Sequence, residues 1–262
     1  MSTSTWDAAG RLPVPVSNRR RAELVALPAG TPTLDALFTF MRDAELRFDT
    51  LRMRIVETSV TVRGELVVNT DTVLRHPGWA KVTTSEPRGG MAANYEIWLS
   101  DGETIRTYSA PRKLGTERPV PPVVDGVEGK AGRDLPGAAR FYVPLTGLPP
   151  ETLSDAFIHP GGFLQNVIAT GACQVVGTAP VLGRETIGLV CDHPRTGEVH
   201  FDRPDVRFEL VVDRDTGVIL GQTESVGGDV TRRATVTDFA PDAPLPPSAF
   251  DFRFPPDTRM LF

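Results

Sequence analysis

Between Leu51 and Glu57 apolar and charged residues interleave, with Leu51, Met53, Ile55 and Val56 set against Arg52, Arg54 and Glu57. That alternation places one face of an extended strand in a core and the other in water. Glu65–Val68, Thr72–Leu74 and Ala80–Thr84 repeat the pattern and predict further strand pieces, separated by polar turns and by His76-Pro77-Gly78-Trp79. Tyr95–Leu99 and Thr104–Tyr108 flank Ser100-Asp101-Gly102-Glu103. Asp-Gly between two alternating runs predicts a hairpin. The last third of the chain is built the same way. Gln174–Val176, Val181–Cys191, Val206–Val212, Val218–Glu224 and Asp229–Asp238 read as strands, with Asp213-Arg214-Asp215-Thr216-Gly217 as a turn between two of them. Short β-rich runs with turn residues at close intervals predict an antiparallel sheet or barrel rather than βαβ units.

Two stretches carry the helical period instead. In Thr33–Leu46 apolar residues fall at 34, 37, 38, 41 and 44, behind Thr33 as a cap. Pro149–Gly171 predicts a short helix bearing Leu153, Phe157 and Ile158, a break at Pro160-Gly161-Gly162, and a second helix bearing Phe163, Leu164, Val167 and Ile168. Residues 110–150, dense in proline and glycine, predict a long loop that crosses or lids something. Residues 1–30 are polar and proline-punctuated, a flexible leader ahead of one domain at 31–262. No repeat of solenoid period is present.

With 40% apolar residues the chain can fill a sizeable core. Its 33 acidic and 28 basic residues leave a net charge of −5, without the basic footprint that nucleic-acid binding requires. Arg19-Arg20-Arg21 is the one basic cluster and reads as part of a solvated tail. Neither a signal-peptide core in the first thirty residues nor an apolar run long enough to span a bilayer is visible. A cytoplasmic location is the expectation.

Catalytic and metal-binding patterns fail one by one. Gly-x-Ser-x-Gly, His-Glu-x-x-His, the Walker loop and the Rossmann glycine triad do not occur. Gly126–Lys130 has the wrong spacing to cradle a phosphate. Cys191 and Asp192 are strand neighbours and point to opposite faces, so Cys191-Asp192-His193 does not form one site. Four scattered histidines set no metal-ligand spacing. Asp213 and Asp215 lack the remaining ligands of a calcium loop and fit a turn. Neither metal nor cofactor is expected. Cys173 and Cys191 lie nine residues either side of Leu182, which predicts that they face each other across two strands. They read as two core thiols rather than a bridge.

Several of these segments, in this order, resemble the LolA-like and RseB-like lipoprotein carriers and sensors, including their actinobacterial relatives. An N-terminal helix precedes Arg52–Thr58, and His76-Pro77-Gly78-Trp79-Ala80-Lys81-Val82 resembles that family's proline-led basic strand. Tyr95–Tyr108 resembles its strand, Asp-Gly, strand hairpin. Val181-Leu182-Gly183-Arg184, Leu210–Gly217 and Leu245–Pro255 resemble its later strands and its closing Phe-x-Phe segment. The resemblance covers roughly 33–262. It implies a mainly β (α+β) fold: an incomplete, strongly curved antiparallel β-barrel with helices plugging the concave face. The alternation and its turns themselves predict about nine to eleven strands, and the helical stretches predict two or three helices.

By that resemblance the chain is a non-enzymatic binding or carrier protein that holds a lipid or other hydrophobic ligand in a half-barrel cavity. The alternatives are a small-molecule-modifying enzyme of secondary metabolism that reuses the cavity, and an RseB-like module that docks a protein client. Phe38, Met41, Met53, Trp79, Trp98, Tyr142, Phe163, Leu164 and Phe208 are the candidate lining residues. Arg54 and Arg184 are candidates either to meet a ligand's anionic group or to form ion pairs within the protein.

Overall fold

The computed structural model describes residues 24, 26–87, 94–120, 144–150, 152–160, 172–192 and 205–261. Six strands form a first meander: β1 (Thr50–Thr61), β2 (Gly64–Arg75), β3 (Trp79–Ser85), β4 (Tyr95–Asp101), β5 (Thr104–Ser109) and β6 (Leu114–Pro119). Five form a second: β7 (Ala172–Gly177), β8 (Thr186–Asp192), β9 (Val206–Asp213), β10 (Ile219–Val226) and β11 (Asp229–Pro241). The short β12 (Arg259–Leu261) follows. All twelve join in one sheet, ordered β12-β6-β5-β4-β3-β2-β1-β11-β10-β9-β8-β7. Among the described residues its two ends do not meet, so the curved sheet is an incomplete barrel, as expected.

The two meanders are sewn together by β1 and β11, whose register shifts between Arg54 and Ile55. Among the described residues every strand pairing is antiparallel except β12 with β6, which is parallel. Twelve strands exceed the nine to eleven expected. β6 lies inside the stretch read as loop, and β12 is too short to show a period. Residues 121–143 of that stretch, like the leader up to residue 23, lie outside the described residues.

Two strand readings need correction. Residues 64–75 form one strand and not two. The run Asn69-Thr70-Asp71 looks like a turn in sequence, yet each residue is paired on both sides, and Asp71 receives Arg54 from the neighbouring strand at 2.6 Å. Conversely, Val181–Arg184 is a tight turn. Leu182 and Gly183 have φ of 53° and 74°, and Val181 and Arg184 exchange backbone hydrogen bonds of 3.1 and 3.0 Å. Positive φ at both central residues suits the right-handed twist of the flanking strands. Around this turn Cys173 and Cys191 come directly opposite one another, as their spacing about Leu182 predicts.

The first helix, α1, spans Leu34–Arg42, and Thr33 caps it by accepting from the Ala36 N–H at 3.2 Å. It stops earlier than the period suggests. Asp43, a poor helix former, binds Arg42 at 3.0 Å, and Ala44–Arg47 tightens into a 3-10 turn. The second helix, α2, is Leu153–Ile158, capped by Thr152. The second helix expected after Pro160 lies outside the described residues. Leu37, Met41, Phe157 and Ile158 from these helices are fully buried against Leu51, Met53 and Ile55 of β1.

The opposite face of β3–β6 carries a second apolar layer. After a 3-10 turn at Pro247–Phe250, the chain lays Phe250 on Trp79, and Phe252 and Phe254 on Tyr108, with ring centroids 5.5–6.4 Å apart. Gly115 makes room for this strap, because a Cβ there would sit 2.7 Å from the Phe254 ring and 2.8 Å from Thr258. Gly115→Val should therefore lift the strap and cost about 1–3 kcal/mol, read as a lower urea midpoint. An unchanged midpoint would show that the strap does not stabilise the sheet.

Candidate ligand-binding face

Because residues two apart on a strand share a face, the pairings define what the helix-bearing surface presents. Its centre is dry. Met53 of β1 sits opposite Thr72 of β2, which sits opposite Val82 of β3, and then Trp98 of β4. On the other side of β1 the same surface continues through Val236 to Leu210, Phe208, Leu189 and Cys191, all buried. Toward β5 and β6 the character changes to hydroxyls. Thr107 and Thr116 follow Trp98 in the row and bond each other at 2.6 Å. Two positions along β1 from Ile55, Glu57 binds Arg232 on this face.

The helices are tethered to this surface by polar contacts within the apolar layer. Ser154 of α2 and Thr72 of β2 share a buried hydroxyl–hydroxyl bond of 2.6 Å. At the C-terminal end of α2 lies a cluster of three buried ionisable groups. His159 Nδ1 is 2.9 Å from Asp155 Oδ1, and its Nε2 is 3.2 Å from Glu45 Oε2. The histidine side chain has no solvent exposure, and the two carboxylates have 5–6%. Glu45 also accepts from the Leu145 N–H at 2.9 Å, and Thr146 takes the Gly78 N–H and meets His76 Nδ1. Burial alone would push the imidazole toward its neutral form. The attraction of Glu45, the hydrogen bonds to Asp155 and Glu45, and the charge of Asp155 outweigh it and raise its pKa above the usual value. This clasp joins the turn after α1, the segment 144–148 and α2.

A second polar lock holds the turn between β9 and β10. Asp213 has no solvent exposure; Arg184 donates to both its oxygens at 2.7 and 3.0 Å, and the Thr216 N–H and hydroxyl donate to Oδ2 at 2.9 and 2.6 Å. Arg184 also reaches Asp215 at 3.0 Å. Gly217, at φ 82°, brings the turn so close to α1 that a Cβ would meet the Phe40 carbonyl at 3.0 Å.

Of the residues expected to line a cavity, Met41, Met53 and Phe208 belong to one buried cluster, with Phe38 and Trp98 half-buried at its margin. Trp79 does not join them. It alternates with Ala80 and Val82, which face the core, so its ring turns to the other face and packs on Phe250. Its bulk in sequence suggested a lining role; its phase along β3 decides otherwise. Tyr142, Phe163 and Leu164 lie outside the described residues. Arg54 pairs with Asp71 on the outer face, and Arg184 with Asp213, so both serve internal ion pairs. Sequence reading missed the Glu45–His159–Asp155 clasp. The only trace of it there is Asp155 and His159 four apart, one turn of a helix.

No family model and no curated protein matches the sequence. Solved structures do. The chain is similar to MucB at 16% identity and a TM-score of 0.48, covering 86% of this chain and 65% of that one. It is similar to the Mycobacterium tuberculosis lipoprotein LppX at 12% identity and a TM-score of 0.41, covering 82% and 99%. A LolA-superfamily protein from Nitrosomonas europaea is similar at 10% identity and a TM-score of 0.32, covering 86% and 99%. The chain thus spans about two thirds of MucB's length.

Proposed function

We propose that the protein is a non-enzymatic carrier that holds a lipid or another hydrophobic small molecule against the helix-bearing face of its sheet. One observation supports the reading: the apolar surface there runs beyond the two described helices. Twelve strands at about 4.8 Å spacing make a sheet roughly 53 Å across. The nine-residue α1 and the six-residue α2 are only about 13 and 9 Å long. Trp98 on one wing and Val226 on the other stand half-buried at the margins of the core.

An acyl chain laid on such a surface gains about 0.8 kcal/mol per CH₂. Selection is then chiefly by chain length, with the hydroxyls of Thr107 and Thr116 and the Arg232–Glu57 pair as polar groups near a headgroup. Phe38, Met41, Met53, Trp98 and Phe208 are the described residues assigned to this surface. An enzymatic use of the same face finds less support. Among the described residues, the buried convergence of Glu45, Asp155 and His159 is sealed from solvent and bonded internally.

A fluorescent fatty acid should bind saturably, near one per chain. Trp98→Asp puts a charge where it must be desolvated and should weaken binding about tenfold or more, at the cost of roughly 1.4 kcal/mol or more, while moving the urea midpoint little. Wild-type affinity in that variant would remove the face from the account.

A further inference from the structure

We infer that Cys173 and Cys191 form a dithiol–disulfide centre that takes small-molecule disulfides as its oxidant, with Cys173 attacking and Cys191 resolving. This inference stands apart from the carrier reading. The two residues are direct partners in the antiparallel register of β7 and β8. Directly opposed residues have Cα atoms about 4.5–5.5 Å apart, inside the range a disulfide spans without backbone movement. Their side chains leave the same face, and the two thiols share a hydrogen bond.

The pair is asymmetric in a way that divides the labour. Cys173 is half-buried and Cys191 is sealed. The bond from Cys191 lowers the Cys173 pKa, outweighing burial and the nearby Asp192. The same bond, then burial and the charges of Cys173 and Asp192, push the Cys191 thiol up. This is the arrangement of an S–H donated to a neighbouring thiolate, and the thiolate is the nucleophile.

The chemistry closes with a disulfide of the glutathione type as the only co-reactant. The Cys173 thiolate attacks one sulfur of the oxidant, its S–S bond breaks, and the first thiolate leaves and takes up a proton. Cys191 then gives up its proton and attacks Cys173 Sγ, expelling the second thiolate, which is protonated in turn. Two electrons pass to the oxidant, two thiols leave, and one S–S bond joins the strands. β7 ends the described sheet, and its ladder there is to β8 alone. α1 packs against β7 as well. The bridge staples this edge, next to Phe208, which lies opposite Cys191 on β9.

The test is to incubate the full folded chain with oxidised glutathione, then count thiols after denaturation and weigh the intact protein. Both thiols should disappear together, the mass should fall by two hydrogens, and no glutathione should remain attached. Cys191→Ser should halt at one retained glutathione, and Cys173→Ser should react at least about tenfold more slowly than wild type. Cys191→Ala run alongside, with circular dichroism on each, separates a lost resolving thiol from a lost fold. Glutathione retained on the folded wild type, or two free thiols after prolonged exposure, overturns the inference.

Discussion

Replacing His159 with alanine should cost about 3–5 kcal/mol of folding stability, a fall in thermal midpoint of roughly 8–15 °C for a chain of this size. The reason is what the change leaves behind. Glu45 and Asp155 would remain buried, each deprived of the cation that lies between them. By contrast, breaking the exposed pair Arg52–Asp238, whose side chains are 54% and 44% accessible, should cost no more than about 1 kcal/mol. A triple variant, Glu45→Gln with Asp155→Leu and His159→Leu, removes the charges together and keeps an acceptor for the Leu145 N–H. It should be more stable than His159→Ala alone, since a buried network replaced as a whole is often neutral.

The same cluster sets a pH dependence of defined sign. The folded pKa of His159 is raised, so the folded protein holds this proton more tightly than the unfolded chain. Its contribution is fully present below the unfolded value of about 6.5 and is lost as pH rises through the folded pKa. Urea midpoints taken across that rise should fall in the wild type and stay flatter in His159→Ala. A wild-type curve that climbs through this window would contradict the clasp as an ion-paired unit.

Asp213→Ala carries the second large expected effect, about 3 kcal/mol. It removes the two hydrogen bonds that Arg184 makes to this carboxylate, leaving the one to Asp215, and leaves the buried Thr216 N–H and hydroxyl without their acceptor. Since Gly217 of this turn packs on the α1 backbone, the damage should reach the helix cover too. Hydrogen exchange should quicken in α1 as well as in β9 and β10. Faster exchange confined to the turn would show that the lock stabilises only its own hairpin.

Much of the sheet is legible in the sequence because hairpin chemistry is local. Asp101-Gly102 and Asp213–Gly217 announce their turns by residue type, and Thr33 announces its cap. The spacing of Cys173 and Cys191 follows from a register centred on Leu182. What sequence hides is decided by partners far along the chain. Asn69-Thr70-Asp71 reads as a turn until Arg54, Val56 and Ser85 pair with it. Trp79 reads as cavity lining until the phase of Ala80 and Val82 is fixed. Phe250, Phe252 and Phe254 read as an ending, and only the fold shows that they clothe the outer face of β3–β6. The clasp is the extreme case, for Glu45 and His159 are brought together by tertiary packing alone. Phe38, Met41, Met53, Trp98 and Phe208 stand out in sequence by size and apolarity alone. The structure sorts them into a buried group and a half-buried margin, a distinction that composition does not contain.

Native mass spectrometry, on protein first stripped of lipid and then mixed with a defined series of fatty acids, tests the carrier account most directly. The account predicts one ligand per chain, retention that strengthens with acyl chain length, and loss of the bound species in Trp98→Asp while the protein stays folded. A chain that remains unliganded across the whole series, although folded, would contradict it.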